Sequence, residues 1–259
     1  MNENIASHDE KDVKRYSVNQ LREICQKTSS NPAREGISGH VVRFFSIFAT
    51  MLFLRTRLSP NYVTVLSVLV FFIGVSMFFM GTYMADIIGS FIIFLSVILD
   101  GSDGEVARFR KTAGRLGSNY VEPISHDVQY GISFLMLGAA LAIRSETPVF
   151  YLLGGVASVA KLLYRHFESR FWHFYHAGIT KDEIGSIKQT YESLPLLERL
   201  ASWIRRHIYS STGFSISCIL FSILGRLDIL LWFWAIGASV FCFLLAGKQF
   251  WRIRRDKTL

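Results

Sequence analysis

Apolar residues in this chain fall in long blocks separated by short polar or basic segments, a pattern of membrane spans rather than of an amphipathic soluble fold. Residues 1–37 are expected to form a soluble cytoplasmic lead, of which Met1 to Gln20 is polar and charged, without the apolar core of a signal peptide. Within them Ser17 is placed to cap a short helix through Lys27, which Thr28-Ser-Ser-Asn-Pro32 breaks. Val41 to Leu54 is apolar but short for a crossing, with Arg43, Arg55 and Arg57 beside it; this predicts a helix lying in the membrane interface. Pro60 opens the first span, to about Gly81, since proline suits a first helical turn. The second runs from about Ala85 to Asp100 and continues as a polar helix to Arg110. A third begins near Ser118 and ends by Arg144, and a fourth covers roughly Pro148 to Leu163. Residues 164–211 are polar and aromatic, and end in an amphipathic stretch with Leu196, Leu197, Leu200, Trp203 and Ile204 on one side. A short fifth span, about Gly213 to Leu224, is divided by Arg226-Leu-Asp228 from a sixth that reaches about Phe250.

The expected fold class is therefore all-α integral membrane: about six transmembrane helices preceded by an interfacial amphipathic helix. Its expected organisation is a cytoplasmic lead (1–40), a membrane domain (41–250) with a cytoplasmic insert at 164–211, and a basic tail (251–259). Charge gives a separate argument for this count. The lead, the segment with Arg108, Arg110, Lys111 and Arg115, the insert and the tail each carry several Lys and Arg, whereas the intervening turns carry one basic residue or none. Such alternation places both termini on the cytoplasmic side of a bacterial inner membrane, or of another membrane that faces the cytoplasm.

Composition adds limits. The net charge of +8 is of the kind that draws nucleic acid, but basic residues placed in loops between spans meet anionic lipid instead, so no nucleic-acid partner is expected. Cys25, Cys218 and Cys242 are too scattered for a metal site or a disulfide framework.

Candidate chemistry collects where the second span leaves the membrane. Asp100 and Asp103 are three residues apart, so a continuing helix projects both carboxylates from nearly the same face. Two carboxylates at a membrane boundary need compensation. A hard divalent cation such as Mg²⁺, Mn²⁺ or Ca²⁺ supplies it, because such ions prefer carboxylate oxygen. Gly104 opens the backbone to close approach, and Arg108 is suited to phosphate oxygens. In the next span Glu122 and His126 share a face, with Asp127 adjacent. Acidic groups from two helices beside basic ones suit a diphosphate held by metal, with a spare base for an attacking hydroxyl.

The string Asp100-x-x-Asp103-Gly104-x-x-Ala107-Arg108, followed after eight residues by Gly117, resembles the signature of the CDP-alcohol phosphotransferase (phosphatidyltransferase) family, D-x-x-D-G-x-x-A-R-x8-G-x3-D-x3-D. Pro60-Asn61-x-x-Thr64 is similar to the start of the first span common in these enzymes. The resemblance covers about residues 40–250, and the 164–211 insert is less typical. It implies a CDP-linked donor cleaved at its pyrophosphate by an acceptor hydroxyl, with release of CMP, most often in phospholipid headgroup synthesis. It also implies Mg²⁺ or Mn²⁺ held by the motif aspartates, here Asp100 and Asp103. Asn61, Thr64, Gly104, Ala107, Arg108 and Gly117 match substrate-contacting or helix-start positions. Membrane lipid, the CDP-alcohol, the hydroxyl acceptor and a second copy of the chain are the partners such a reading allows.

The second half departs from the signature. The expected aspartate positions hold Val121 and Ser125, while Glu122 and His126 keep the four-residue spacing one position late. One residue is about 100° of helical rotation, which a π-bulge near Pro123 would absorb. On that reading Glu122 is the third metal ligand, and His126 is the fourth ligand or the general base, with Asp127 as the rival base. Two other classes stay open: a cation-coupled transporter and an inactive membrane scaffold. Elsewhere, His166, His173 and His176 lie in an aromatic belt, Gly154-Gly155 permits close helix packing, and Arg144, Lys161, Arg165 and Arg226 are candidate acceptor or headgroup contacts, or snorkelling side chains.

Overall fold

A computed structural model describes residues 16–27, 37–56, 58–112, 120–176 and 196–255. Every regular element among them is helical: α1 (Val18–Arg22) with a π turn at Glu23–Lys27, α2 (Ile37–Leu54), α3 (Pro60–Ser76) ending in a 3₁₀ turn, α4 (Tyr83–Phe109), α5 (Glu122–Ser145), α6 (Val149–His176), α7 (Leu196–His207), α8 (Ser211–Ile223) and α9 (Leu227–Arg255). They form two units. One contains α1 to α4, the start of α5 and α8; the other contains α5 from Tyr130, α6, α7 and α9.

In the first unit local chemistry sets each helix start. Ser17 and Gln20 make a reciprocal capping box, in which the Ser17 amide donates to the Gln20 side chain at 2.8 Å. Pro60 occupies the first turn of α3. Gly81 takes a left-handed φ of 69°, and the Thr82 hydroxyl then caps α4 by accepting from the Ala85 amide at 3.2 Å. Leu21 and Cys25 of the lead are fully buried with Ile47, Phe53, Leu54, Val63, Val106 and Phe109, so the lead shares a core with α2, α3 and the end of α4. Helices α3 and α4 touch backbone to backbone at Gly74 and Gly89: a Cβ on Gly89 would lie 2.6 Å from the Gly74 carbonyl oxygen. Ser90 and Ser222 hydroxyls, 2.7 Å apart, tie α8 to α4.

In the second unit α5 and α6 are joined as closely. A Cβ on Gly138 would fall 2.5 Å from the Phe150 carbonyl, and one on Gly154 would fall 2.5 Å from that of Phe134. Gly155, next door, faces open space, so only one of the two adjacent glycines does the packing expected of the pair. Helix α9 packs along α6 through Ala160, Tyr164, Ala238 and Cys242. The Tyr209 ring stacks on Phe233 and covers Gly237, and its hydroxyl donates to the Phe233 carbonyl at 2.9 Å.

The all-α membrane architecture is as expected. Among the described residues four helices are long and apolar enough to cross a bilayer: Pro60–Met80, Tyr83–Phe109, Glu122–Ser145 and Leu227–Trp251. Their outer faces are apolar and bare, as with Leu69, Met84 and Phe243, which belong against lipid rather than water. The expected fourth and fifth spans differ. Helix α6 does not stop near Leu163 but runs on to His176, because Lys161, Arg165, Glu168 and Arg170 end its apolarity without breaking the helix. Helix α8 has 13 residues, about 20 Å at 1.5 Å each, short of a ~30 Å hydrocarbon layer. Helix α2 is a further short apolar element, as expected, and begins at Ile37 rather than Val41. The 27 residues of α4 reach about 40 Å, so its last turns extend past an apolar layer of that thickness. Those turns carry the acidic string.

Candidate active site

Helix α4 presents successive residues of the string to different neighbours. Asp103 is buried and faces α3, where the Thr64 hydroxyl donates to its Oδ2. Asp100 lies one turn earlier and faces the start of α5, with its Oδ2 3.5 Å from Nε2 of His126. Asp100 and His126 side chains are 15% and 18% exposed, so the pair is largely removed from solvent. Glu122 is exposed in the first turn of α5, within electrostatic reach of both aspartates. The structure thus gathers Asp100, Asp103, Thr64, Glu122 and His126 at one end of the first unit. Asp127 is half-buried beside His126, and Asn61 is exposed in the first turn of α3. Gly117 lies outside the described residues.

The approach to α5 bears on the late spacing of Glu122 and His126. Tyr120 and Val121 have π-turn geometry and lead directly into Glu122 and Pro123. A π turn accommodates one extra residue per turn, the kind of irregularity that the displaced spacing requires.

The donors suit a divalent cation in kind, being carboxylates and an imidazole. One observation fits such an ion directly: Oδ1 of Asp100 is buried and accepts no hydrogen bond among the described residues. Three ionised carboxylates in mutual reach would also repel one another, a cost that a cation offsets. Among the described residues no three His, Cys, Asp or Glu side chains form a preassembled cage.

Further along α4, Gly104 and Arg108 form a unit. A Cβ on Gly104 would lie 3.2 Å from Nη1 of Arg108, so the glycine leaves the room that the guanidinium occupies. Arg108 donates through Nε to the Cys25 carbonyl of the lead. Ala107 is half-buried between them. Arg110 anchors the loop before α3, donating to the carbonyls of Leu58 and Thr56. The helix closes with Lys111 at φ 54° and the Thr112 amide donating to the Ala107 carbonyl at 3.0 Å, an arrangement in which glycine is the usual residue.

Sequence reading missed Glu105, which fills a free position of the string. It is 1% exposed and accepts hydrogen bonds from Ser46 and Thr50 of α2 and from Gln26 of the lead. A signal was present: Ser46 and Thr50 are four residues apart on the otherwise apolar stretch from Phe44 to Leu54, one polar face seeking a buried partner. Cys25 lies beside this group. Burial first, then the nearby Glu105 charge, pushes its thiol up to about 12 against the opposing influence of Arg108.

The other candidate contacts separate in the second unit. Lys161 is buried, donates to the Tyr209 carbonyl and sits 4.6 Å from the Tyr130 ring centre, where Arg165 also stacks. Arg205 pairs with Glu168 at 2.8 Å, and Lys161 and Arg205 line a small cavity with Tyr164 and Tyr209. Arg226, just before α9, pairs with Asp228 in the first turn of that helix. His166 meets Phe167 edge-on, while the side chains of His173 and His176 lie outside the described residues.

No curated protein sequence matches the chain. The family profile for CDP-alcohol phosphatidyltransferase matches residues 57–192, more than half of the 259. The match opens at the α3 start that carries Thr64 and takes in both the Asp100–Arg108 string and the Glu122–Asp127 segment facing it. With the Asp100–Arg108 string and the His126 that approaches it both inside the matched region, this integral membrane chain belongs to the CDP-alcohol phosphatidyltransferase family.

Proposed function

We propose that the chain transfers a phosphoalcohol group from a CDP-linked donor to a hydroxyl acceptor and releases CMP, in a metal-dependent reaction of phospholipid headgroup synthesis at the cytoplasmic face of the membrane. The observation that carries this reading is the approach of His126 to Asp100, which joins the regular half of the string to its irregular half. Asp100, Asp103 and Glu122, with His126 as fourth ligand or base, are the residues that would hold the cation. When bound, it would neutralise the pyrophosphate and the charge that develops on departing CMP. The acceptor oxygen forms a new bond to the phosphorus that carries the alcohol, the bond from that phosphorus to CMP breaks, and CMP leaves with the bonding pair. The acceptor's proton passes to a base, for which His126 has its contact with Asp100 and Asp127 its adjacency. Thr64 holds Asp103 in one rotamer, and Arg108 over Gly104 offers donors to the nucleotide phosphate. The basic segments that flank the spans support the cytoplasmic orientation.

The test is CMP release by purified protein with Mg²⁺ or Mn²⁺ and a panel of CDP-alcohols, with and without hydroxyl acceptors. Release that requires metal and is lost in Asp103→Asn is expected. An unchanged rate in Asp103→Asn, or after chelation of the metal, would overturn the reading.

A further inference from the structure

Glu105 stands between the residues that the string fixes, yet it is the most enclosed carboxylate of α4. Its oxygens accept from three neutral donors: Ser46 Oγ at 2.6 Å and Gln26 Nε2 at 2.8 Å on Oε1, and Thr50 Oγ1 at 2.6 Å on Oε2. Burying a carboxylate is costly, and apolar packing would hold α2 against α4 at lower cost, so such a group is better explained by the geometry it fixes than by stability. Gln26 shows what is fixed. Its Nε2 also donates to the Arg43 carbonyl at 2.9 Å, and Nη1 of Arg43 donates back to the Gln26 carbonyl at 3.1 Å. One residue earlier, the Cys25 carbonyl accepts from Nε of Arg108. Two adjacent residues of the lead therefore hold two α4 side chains that lie three positions apart on one helical face.

We propose that Glu105 is a positioning residue: with Ser46, Thr50 and Gln26 it anchors the Cys25-Gln26 segment against α4, so that the Cys25 carbonyl fixes Arg108 with its Nη atoms over Gly104 for the donor's nucleotide. This rests on the nucleotide-contacting role proposed above for Arg108. The lead, which lies outside the family match, thereby becomes part of the donor site of this chain. Satisfying one end of the guanidinium leaves its other donors directed and lowers the ordering cost of binding.

The experiment compares wild type with Glu105→Ala, Gln26→Leu, Arg108→Ala and the Glu105→Ala/Arg108→Ala double variant. Two readouts are taken: alkylation of Cys25 by iodoacetamide, located by peptide mapping, and kcat and KM for the CDP-alcohol in CMP release. Loss of the anchor should speed Cys25 alkylation at least about tenfold and raise the donor KM about tenfold, with kcat within about threefold. The double variant should be no worse than Arg108→Ala alone, because both changes remove one function. Cys25 that stays protected in both Glu105→Ala and Gln26→Leu overturns the anchor. KM effects that multiply in the double variant overturn the link to Arg108. Should Glu105→Ala fail to fold, Gln26→Leu carries the same expectations from outside the spans. A wild type that releases no CMP removes the reaction and the positioning role with it, whereas Cys25 alkylation still judges the anchor on its own.

Discussion

Thr64, in the first turns of α3, donates its hydroxyl proton to Oδ2 of Asp103 on α4, and both side chains are buried. Two short sequence signals 39 residues apart thus meet in one hydrogen bond. The same hydroxyl lies 3.2 Å from the Pro60 carbonyl, but its single proton goes to the closer and more basic carboxylate. A hydrogen bond to a carboxylate is worth roughly 1.5–3 kcal/mol, so losing it should cost about ten- to a hundredfold in kcat/KM if Asp103 must be oriented. We expect that loss in Thr64→Val, which keeps the shape and removes the donor, and near-normal CMP release in Thr64→Ser. A fully active Thr64→Val would show that Asp103 needs no such support.

The glycine contacts predict a pattern rather than a single effect. In Gly74→Ala, Gly89→Ala, Gly138→Ala and Gly154→Ala the new methyl would meet backbone atoms of the facing helix at 2.8 Å or less. Helix backbones cannot yield as a side-chain tip can, so each change should destabilise by about 1–3 kcal/mol. In Gly155→Ala the methyl meets nothing within 4 Å, and better helix propensity should make it neutral or stabilising by up to about 1 kcal/mol. Thermal unfolding in detergent, followed by circular dichroism, checks this. Equal effects at Gly154 and Gly155 would contradict the packing.

How much of this was legible in the sequence depended on which physical signal each feature left. Block apolarity found α3, α4, α5 and α9, because a lipid-facing helix needs apolar residues on nearly every side. It misjudged α6: apolarity marks where lipid contact ends, not where hydrogen bonding along the backbone ends, and Lys161 to Arg170 are compatible with helix. Asp100 and Asp103 were readable because their spacing and cost at a membrane edge both point to chemistry. Glu105 was not, since a carboxylate in a free position reads as a solvated face until α2 and the lead cover it. The π turn at Tyr120-Val121 was foreshadowed by Pro123 and by arithmetic, from two residues that keep their mutual spacing and lose their register.

Cys25 gives a prediction in pH. Its thiol is fully buried and pushed up to about 12, against 9.0 for the ordinary group, so the folded protein should hold about a thousandfold less thiolate at pH 8 than an unfolded chain. The sign follows: a raised acid favours the neutral folded form, and the stability this contributes is present below pH 9 and is lost as pH rises toward 12. Alkylation of Cys25 should therefore be slow at pH 8 and accelerate on denaturation or above about pH 10. Rapid modification of the folded protein at pH 8 would rule out the burial described for this segment.

The choice between His126 and Asp127 as base turns on which group the chemistry loses. The two residues are adjacent, so on α5 they point about 100° apart, and only one of them can face the attacked hydroxyl squarely. His126 has its Nε2 3.5 Å from Asp100, whereas Asp127 is half-buried on a different bearing. A general base contributes about 10²- to 10⁴-fold, so His126→Ala should lose that much of kcat, and Asp127→Asn should lose far less. Added imidazole should restore part of the activity of His126→Ala if the residue takes a proton, whereas excess Mg²⁺ or Mn²⁺ should restore it if the residue only helps to hold the cation. A His126→Ala protein with full activity, beside an inactive Asp127→Asn, would transfer the role to Asp127 and leave His126 as a neighbour that orients Asp100.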